Sequence, residues 1–174
     1  MMKIKKYKIV SSTNALAKKL RKTQPWQVLL TEKQTVGHGR EKRSWFSPKG
    51  GLYFSIILPK SKIEDLQTLT ILAAFIVAKI IKDNFNLEPF IKLPNDVWVN
   101  GKKICGILTE NVIGKDVKFS VMGIGLNTNI DRFPGELKDI ATSLKIELGK
   151  EVDNGKILNQ IIKHLKKQLA TISE

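Results

Sequence analysis

Val97-Trp98-Val99-Asn100-Gly101-Lys102-Lys103-Ile104 places β-forming residues on both sides of an Asn-Gly pair. Asn-Gly favours a type I′ turn, because both central residues must reach positive φ, and that turn's twist suits a β-hairpin. A two-residue turn sets Trp98 opposite Lys103 and Asp96 opposite Cys105. Asp96 and Lys103 then become diagonal neighbours on one face, with Cβ atoms ~7–8 Å apart. A carboxylate and an ammonium converging beside Gly106 are either a surface ion pair worth ~0–1 kcal/mol or a place where anionic oxygen is held while charge develops. The pattern alone leaves both open.

Hairpin signals continue in both directions. Phe90 to Leu93 reads as a short strand ended by Pro94, and Ile104 to Ile113 with Val117 to Leu126 as an antiparallel pair turning around Gly114. Lys6 to Val10, Trp26 to Glu32 and Leu52 to Leu58, the last stopped by Pro59, supply further strands. Helices are expected from about Asn14 to Lys22, capped by Ser11-Ser12-Thr13-Asn14, and from Asp65 to Asp83. In the second, Leu66, Leu69, Leu72, Ile76 and Ile80 share a face. A lysine-rich amphipathic helix closes the chain from about Asp153 to Ile172. Strands outnumber helices and mostly connect as hairpins, which predicts an α+β fold: a mixed, mostly antiparallel sheet backed by helices. With 174 residues and no repeat or linker, a single domain over 1–174 is expected.

Composition narrows the function classes. A chain 42% hydrophobic and 26% charged is an ordinary globular one. The lysines of residues 1–8 lead into Ser11-Ser12-Thr13-Asn14 instead of an apolar signal core. The most apolar stretch, 66–81, is broken by Gln67, Thr68, Thr70 and Lys79, so no membrane partner is expected. A single cysteine, Cys105, excludes an internal disulfide and suits a reducing cytoplasm. Thirty Lys and Arg against sixteen Asp and Glu give a formal charge of +14, which attracts nucleotides, nucleic acid or an acidic protein. The basic residues are scattered and form no helix-turn-helix or zinc-finger pattern, so no specific DNA site is expected. His38 and His164 belong to no metal-spacing cluster; a metal would arrive with a nucleotide.

Two further segments carry chemistry. In Gly37-His38-Gly39-Arg40-Glu41-Lys42-Arg43-Ser44-Trp45, inside an aperiodic loop from Lys33 to Gly51, glycines let backbone N–H groups approach phosphate while Arg and Lys neutralise it. A flexible basic surface loop would read the same way. Trp45 either stacks on a base or anchors the loop. In Gly123-Ile124-Gly125-Leu126-Asn127-Thr128-Asn129, glycines at alternate strand positions signal that something lies against that face. Asn127 and Asn129 either bond a ligand or end the strand in Asx-turns.

In this order and spacing the segments resemble the biotin–protein ligase family, from Ser12 to the last helix. They are Ser12-Thr13-Asn14; residues 31–40, TEKQTVGHGR, with Trp45-Phe46-Ser47-Pro48; Leu52-Tyr53-Phe54-Ser55; Lys92-Leu93-Pro94-Asn95-Asp96; residues 101–110, GKKICGILTE; and residues 123–127, GIGLN. The resemblance implies a class II aminoacyl-tRNA synthetase-like fold. It also implies an enzyme that joins biotin to ATP as biotinyl-AMP, with Mg²⁺ on the nucleotide, and passes the biotin to a lysine of a biotin carboxyl carrier protein. By position, Ser12, Thr13, Asn14 and Gln34 would hydrogen-bond the biotin ureido ring and its surroundings, with Gly106 in the same pocket. His38, Gly39 and Arg40 would line biotin and the adenylate phosphate, and Arg43 and Trp45 would cover the nucleotide. Lys103 would bridge the carboxylate and α-phosphate, Asp96 would orient Lys103 or the incoming amine, and Asn95 and Asn127 would help hold ATP. Lys103, Arg40 and Asp96 are thus the expected catalytic residues.

The family loop usually reads Gly-Arg-Gly-Arg-Arg-Gly, whereas this one reads Gly-His-Gly-Arg-Glu-Lys. His38 removes one anion contact, and Glu41 with Lys42 alters charge and stiffness, so looser adenylate retention is expected. Neither the DNA-binding domain preceding this segment in some relatives nor the small C-terminal β-barrel common in the family is expected here. A homodimer stays open. The rival readings are a lipoate ligase or octanoyltransferase of similar fold, against which the KLPND hairpin and the GxGR loop speak, and a basic nucleic-acid-binding module.

Overall fold

A computed structural model describes residues 3–20, 22–58, 65–113 and 117–173. Pro59 and Gly114, read above as a strand stop and a turn, lie outside the described residues. The strands are β1 (Ile4–Val10), β2 (Val28–Gln34), β3 (Leu52–Leu58), β4 (Pro89–Lys92), β5 (Asp96–Val99), β6 (Lys102–Ile113) and β7 (Val117–Leu126). They form one seven-stranded sheet in the order β1-β2-β3-β7-β6-β5-β4. Only β1 and β2 pair in parallel; the other ladders are antiparallel. The expected α+β architecture is therefore the one observed.

Helices α2 (Leu66–Phe85) and α5 (Asn154–Ser173) cover one face, and α1 (Thr13–Lys18) covers part of the other, over β2, β3 and β7. Every residue of β3, at the middle of the sheet, is buried, which explains its unbroken apolar run. The main core joins β3, β6 and β7 to Ala73, Val77 and Ile81 of α2 and to Ile161 and Leu165 of α5. A smaller cluster of Ala17, Leu29, Ile57 and Val121 lies under α1. Helix α2 starts at Asp65, whose carboxylate accepts from the backbone N–H groups of Gln67 and Thr68 at 3.0 and 2.9 Å, and stops at Asn86 in the left-handed region, as capping rules require. Among the described residues no helix is long and apolar enough to cross a membrane.

The Asn100-Gly101 turn has φ values of 50° and 76°, the type I′ signature, and Trp98 faces Lys103 as expected. One register assignment is corrected. A bulge between Val97 and Trp98 sets Val97 opposite Cys105 and Asp96 opposite Gly106, not opposite Cys105. An extra residue on β6 shifts the alternation of faces, so that Ile104 and Cys105, adjacent in sequence, are both fully buried. A regular ladder would have left Cys105 on the polar face beside Lys103. In its place Gly106 reaches that face, and burial pushes the Cys105 thiol pKa up.

Helix α1 is shorter than expected, with Ser12 as its N-cap. Strand β2 starts at Val28 because Trp26 takes a left-handed turn before it. Two short helices, α3 (Leu137–Ile140) and α4 (Leu144–Leu148), were not foreseen. For α4 the signals were present: Ser143 caps its start, and Gly149 ends it at φ 69°.

Candidate active site

Where α1 meets the sheet, a cleft of about 210 Å³ opens. Its floor is shaped by missing side chains. Ser55, Gly123 and Leu108 form one cross-strand row, and Tyr53, Gly125, Gly106 and Asp96 form the next. A Cβ on Gly123 would run into the Asn14 amide, and one on Gly125 would run into the Trp45 indole, whose ring also lies 3.2 Å from a Cβ position on Gly106. The face that alternating glycines marked as covered is thus covered by Asn14 and Trp45. Of the residues singled out from sequence, Ser12, Thr13, Asn14, Gln34, His38, Gly39, Arg40, Arg43, Trp45, Asn95, Asp96, Lys103 and Gly106 all line this cleft.

At the α1 end, the protein's own hydrogen bonds fix which way each polar group points. The Gln34 Oε1 accepts from the Thr13 N–H at 2.8 Å and from the Thr13 hydroxyl at 3.2 Å, while its Nε2 donates to Ser47 Oγ at 2.9 Å. The buried Asn14 donates from Nδ2 to Leu108 O at 3.2 Å and to Glu110 Oε2 at 2.8 Å, and its Oδ1 accepts from Ser55 Oγ at 2.6 Å. Ser12 Oγ accepts from the Ala15 N–H at 3.3 Å. A side-chain amide has two N–H donors and an oxygen with two lone pairs, and a hydroxyl has one donor and two lone pairs. What stays uncommitted to described residues is one Gln34 N–H, the Ser12 hydroxyl hydrogen, one lone pair on Asn14 Oδ1 and the Thr13 hydroxyl lone pairs. Two donors beside acceptors match a carbonyl flanked by N–H groups.

At the other end, Lys103 Nζ lies 2.7 Å from Asp96 Oδ2, and Asn95 Nδ2 donates to Asp96 Oδ1 at 2.8 Å. The side chains of Lys103 and Asp96 are only 27% and 19% exposed, so this is no free surface pair. The ammonium also sits 5.1 Å from the centre of the Trp45 ring, a cation–π distance. Its strand is braced, because the Thr142 N–H donates to Lys103 O at 3.0 Å. An ammonium has three donors, so Lys103 retains hydrogen-bonding capacity towards the cleft.

The loop between β2 and β3 closes over the floor. The Trp45 N–H donates to Gly37 O at 2.9 Å and the Gly39 N–H to Arg43 O at 2.8 Å. Glu41 and Lys42 both take left-handed φ values, 55° and 58°, which costs about 1–2 kcal/mol per non-glycine residue. Arg40 is exposed. Arg43, expected to cover a nucleotide, forms an exposed 2.7 Å ion pair with Glu41, one of the loop's departures from the family pattern. Trp45 Nε1 is buried without a hydrogen-bond partner among the described residues.

Asn127 stands apart. It is 2% exposed, donates to Thr142 O at 3.0 Å and is not among the residues lining the cleft. Its Oδ1 has no partner among the described residues. Asn129 forms no Asx-turn; it bonds both ways to the distant Val152 backbone, pinning the segment before α5. Glu110, Ser55 and Lys18 carry no role that their motifs reveal; their meeting with Asn14 depends on strand order, which no local pattern encodes. Among the described residues no group of three or more His, Cys, Asp or Glu could hold a metal ion.

Residues 7–127 match the biotin/lipoate A/B protein ligase family, and the chain belongs to it. Bifunctional ligase/repressor BirA of Bacillus spizizenii is 39% identical over 161 residues, 88% of this chain and 50% of that protein. Biotin–[acetyl-CoA-carboxylase] ligase of Paracoccus denitrificans is 32% identical over 162 residues, 85% of this chain and 65% of that protein. Biotin protein ligase from Aquifex aeolicus, solved in complex with biotin and ATP, superposes with a TM-score of 0.90 at 32% identity, covering 99% of this chain and 72% of that one. The chain spans about half the length of the BirA relative. The fold is the class II synthetase-like one expected from the sequence.

Proposed function

We propose that the chain carries the catalytic centre of a biotin–protein ligase, joining biotin to ATP as biotinyl-AMP and transferring the biotin to a lysine of a biotin carboxyl carrier protein. The observation that carries this reading is one cleft with uncommitted donors and acceptors at one end and the Lys103 ammonium at the other. In the first half-reaction a biotin carboxylate oxygen attacks the α-phosphorus of ATP, and the bond to pyrophosphate breaks. In the second the carrier amine attacks the acyl carbon, the acyl–phosphate C–O bond breaks, AMP leaves and the amine sheds a proton. Neither step needs a covalent enzyme intermediate, so the protein's contribution is positioning and electrostatics.

In this reading Lys103 and Arg40 steady the oxygens between carboxylate and phosphate. Asp96 holds Lys103 in place and, once Lys103 turns to the ligand, has a carboxylate oxygen for the incoming amine. Ser12, Thr13, Asn14 and Gln34 receive the ureido ring beside Gly106. His38 and Gly39 flank biotin and the adenylate phosphate, while Arg43, Trp45 and Asn95 take the nucleotide; Asn127, which does not line the cleft, supports it from outside through its bond to Thr142 O. Mg²⁺ enters bound to ATP. The buried, unpaired Cys105 accords with a reducing compartment such as the cytoplasm.

The family also contains lipoate enzymes, and the polar end of the cleft favours biotin over them: a dithiolane ring offers neither N–H nor carbonyl to the groups waiting there. ATP–pyrophosphate exchange tests this. Biotin should support exchange and lipoate should not; exchange with lipoate alone, or with neither acid, would overturn the reading. Salt-sensitive nucleic-acid binding without biotin-dependent exchange would favour the basic-module alternative. In a chase measurement of preformed biotinyl-AMP dissociation, His38→Arg should slow release by roughly tenfold, the scale of one charge-assisted hydrogen bond. Equal dissociation rates would show that the loop's histidine is not what loosens retention.

A further inference from the structure

Glu110 lies behind the cleft wall, and neither half-reaction uses it. Leu108 and Glu110 alternate onto the same face of β6, and Asn14 and Lys18 lie one turn apart on α1. The four meet in one network. Lys18 Nζ donates to Glu110 Oε1 at 2.8 Å, Asn14 Nδ2 donates to Glu110 Oε2 at 2.8 Å, and the other Asn14 N–H reaches Leu108 O. Burial disfavours the Glu110 charge, yet the hydrogen bonds from Lys18 and Asn14 and the charges of Lys18 and His38 outweigh it and hold the carboxyl below its ordinary range.

An ionised carboxylate only accepts hydrogen bonds. Asn14 therefore has one tolerable orientation, with its NH₂ towards Glu110 and Leu108 O. Turned over, its oxygen would face two acceptors and its NH₂ would lose both. The amide oxygen is consequently the Asn14 atom lying nearest the Cβ position of Gly123, on the cleft floor. There Ser55 takes one lone pair and the second stays open.

Resting on the biotin reading above, we propose that Glu110, anchored by Lys18, is the specificity-determining positioning residue of this pocket. By fixing the Asn14 amide it makes the cleft present an acceptor, and so selects an acid whose ring carries an N–H over one whose ring does not. A site built to bond a substrate N–H rejects analogues lacking it because its own buried group is left unpaired.

The test is ATP–pyrophosphate exchange by the full chain, wild type against Glu110→Gln, with biotin and with two biotin analogues, each methylated on one ureido nitrogen. A neutral amide at 110 can meet Asn14 with either its oxygen or its NH₂, which leaves Leu108 O alone to hold the Asn14 orientation. Glu110→Gln should raise the KM for biotin by about tenfold, the scale of one hydrogen bond to a charged group, with kcat and the KM for ATP unchanged. In the wild type one of the two methyl analogues should be strongly disfavoured, and Glu110→Gln should shrink that penalty. A residue that only packs would move Tm and leave the methyl penalty intact. Lys18→Met, at a half-exposed position on α1, keeps the carboxylate but frees it to move, and should shift both readouts in the same direction by less; it serves if Glu110→Gln does not fold. An unchanged biotin KM, or a methyl penalty equal in wild type and variant, overturns the proposal while leaving the biotin reading standing. Absence of biotin-dependent exchange in the wild type overturns both.

Discussion

Lys103→Ala is expected to lower kcat for biotin-dependent ATP–pyrophosphate exchange by about 10²–10³-fold, the cost of removing one group aimed at developing negative charge. The KM for biotin should change far less, because the ureido end of the cleft is built from α1 and Gln34 and does not involve Lys103. An interaction made chiefly in the transition state appears in kcat and in kcat/KM together. The fold should survive. Asp96 keeps its bond from Asn95, but its other oxygen loses a largely shielded partner, so stability should fall by about 1–3 kcal/mol. Lys103→Arg should recover only part of the rate, since a planar guanidinium does not replace a compact ammonium beside the Trp45 ring. A Lys103→Ala enzyme with an undiminished rate would remove Lys103 from the chemistry.

Gly123→Ala carries the second large effect. The added methyl would meet the Asn14 amide, and neither side can yield easily. Gly123 is paired on both flanks, to Ser55 of β3 and to Leu108 of β6, and Asn14 is tied to Leu108, Glu110 and Ser55. The variant should therefore lose about 1–3 kcal/mol of stability, as overpacked cores do, visible as a lower urea midpoint. The KM for biotin should rise by more than about tenfold as the Asn14 hydrogen bonds break. Gly125→Ala is the instructive contrast. Its methyl would meet the indole of Trp45, whose Nε1 has no hydrogen-bond partner among the described residues, so the ring can yield and stability should change little. The two glycines are two residues apart on one strand, yet their effects should separate because one neighbour is fixed and the other is not. A Gly123→Ala protein with wild-type stability and biotin KM would contradict this account of the floor.

Local rules sufficed for much of the architecture. The Asn-Gly turn fixed β5 and β6 through positive φ, the run at Leu52–Leu58 foretold a strand, and Asp65 marked the start of α2. The Asp96–Lys103 approach also followed from side-chain alternation, although the bulge changed which residue stands opposite Asp96. Two adjacent apolar residues, Ile104 and Cys105, were the sign of that bulge, and reading strict alternation through them concealed it. The cleft residues were legible as motifs, but their hydrogen-bonding state was not. Whether Gln34 offers a donor or Asn14 an acceptor is set by Thr13, Ser47, Glu110 and Ser55, up to 96 residues away in the chain. That order of partners is a property of the sheet, with β7 inserted between β3 and β6. The left-handed pair Glu41-Lys42 and the capture of Arg43 by Glu41 were hidden for a different reason: neither residue type demands that backbone.

Crystals of the protein grown with biotin and a non-hydrolysable ATP analogue offer the sharpest view of the chemistry. The ureido ring should lie against Asn14 and Gln34, and Lys103 Nζ should stand within hydrogen-bond reach, ~2.7–3.2 Å, of both the biotin carboxylate and the α-phosphate. Ligands bound elsewhere, or a Lys103 still engaged by Asp96 alone with biotin and nucleotide in the cleft, would contradict it.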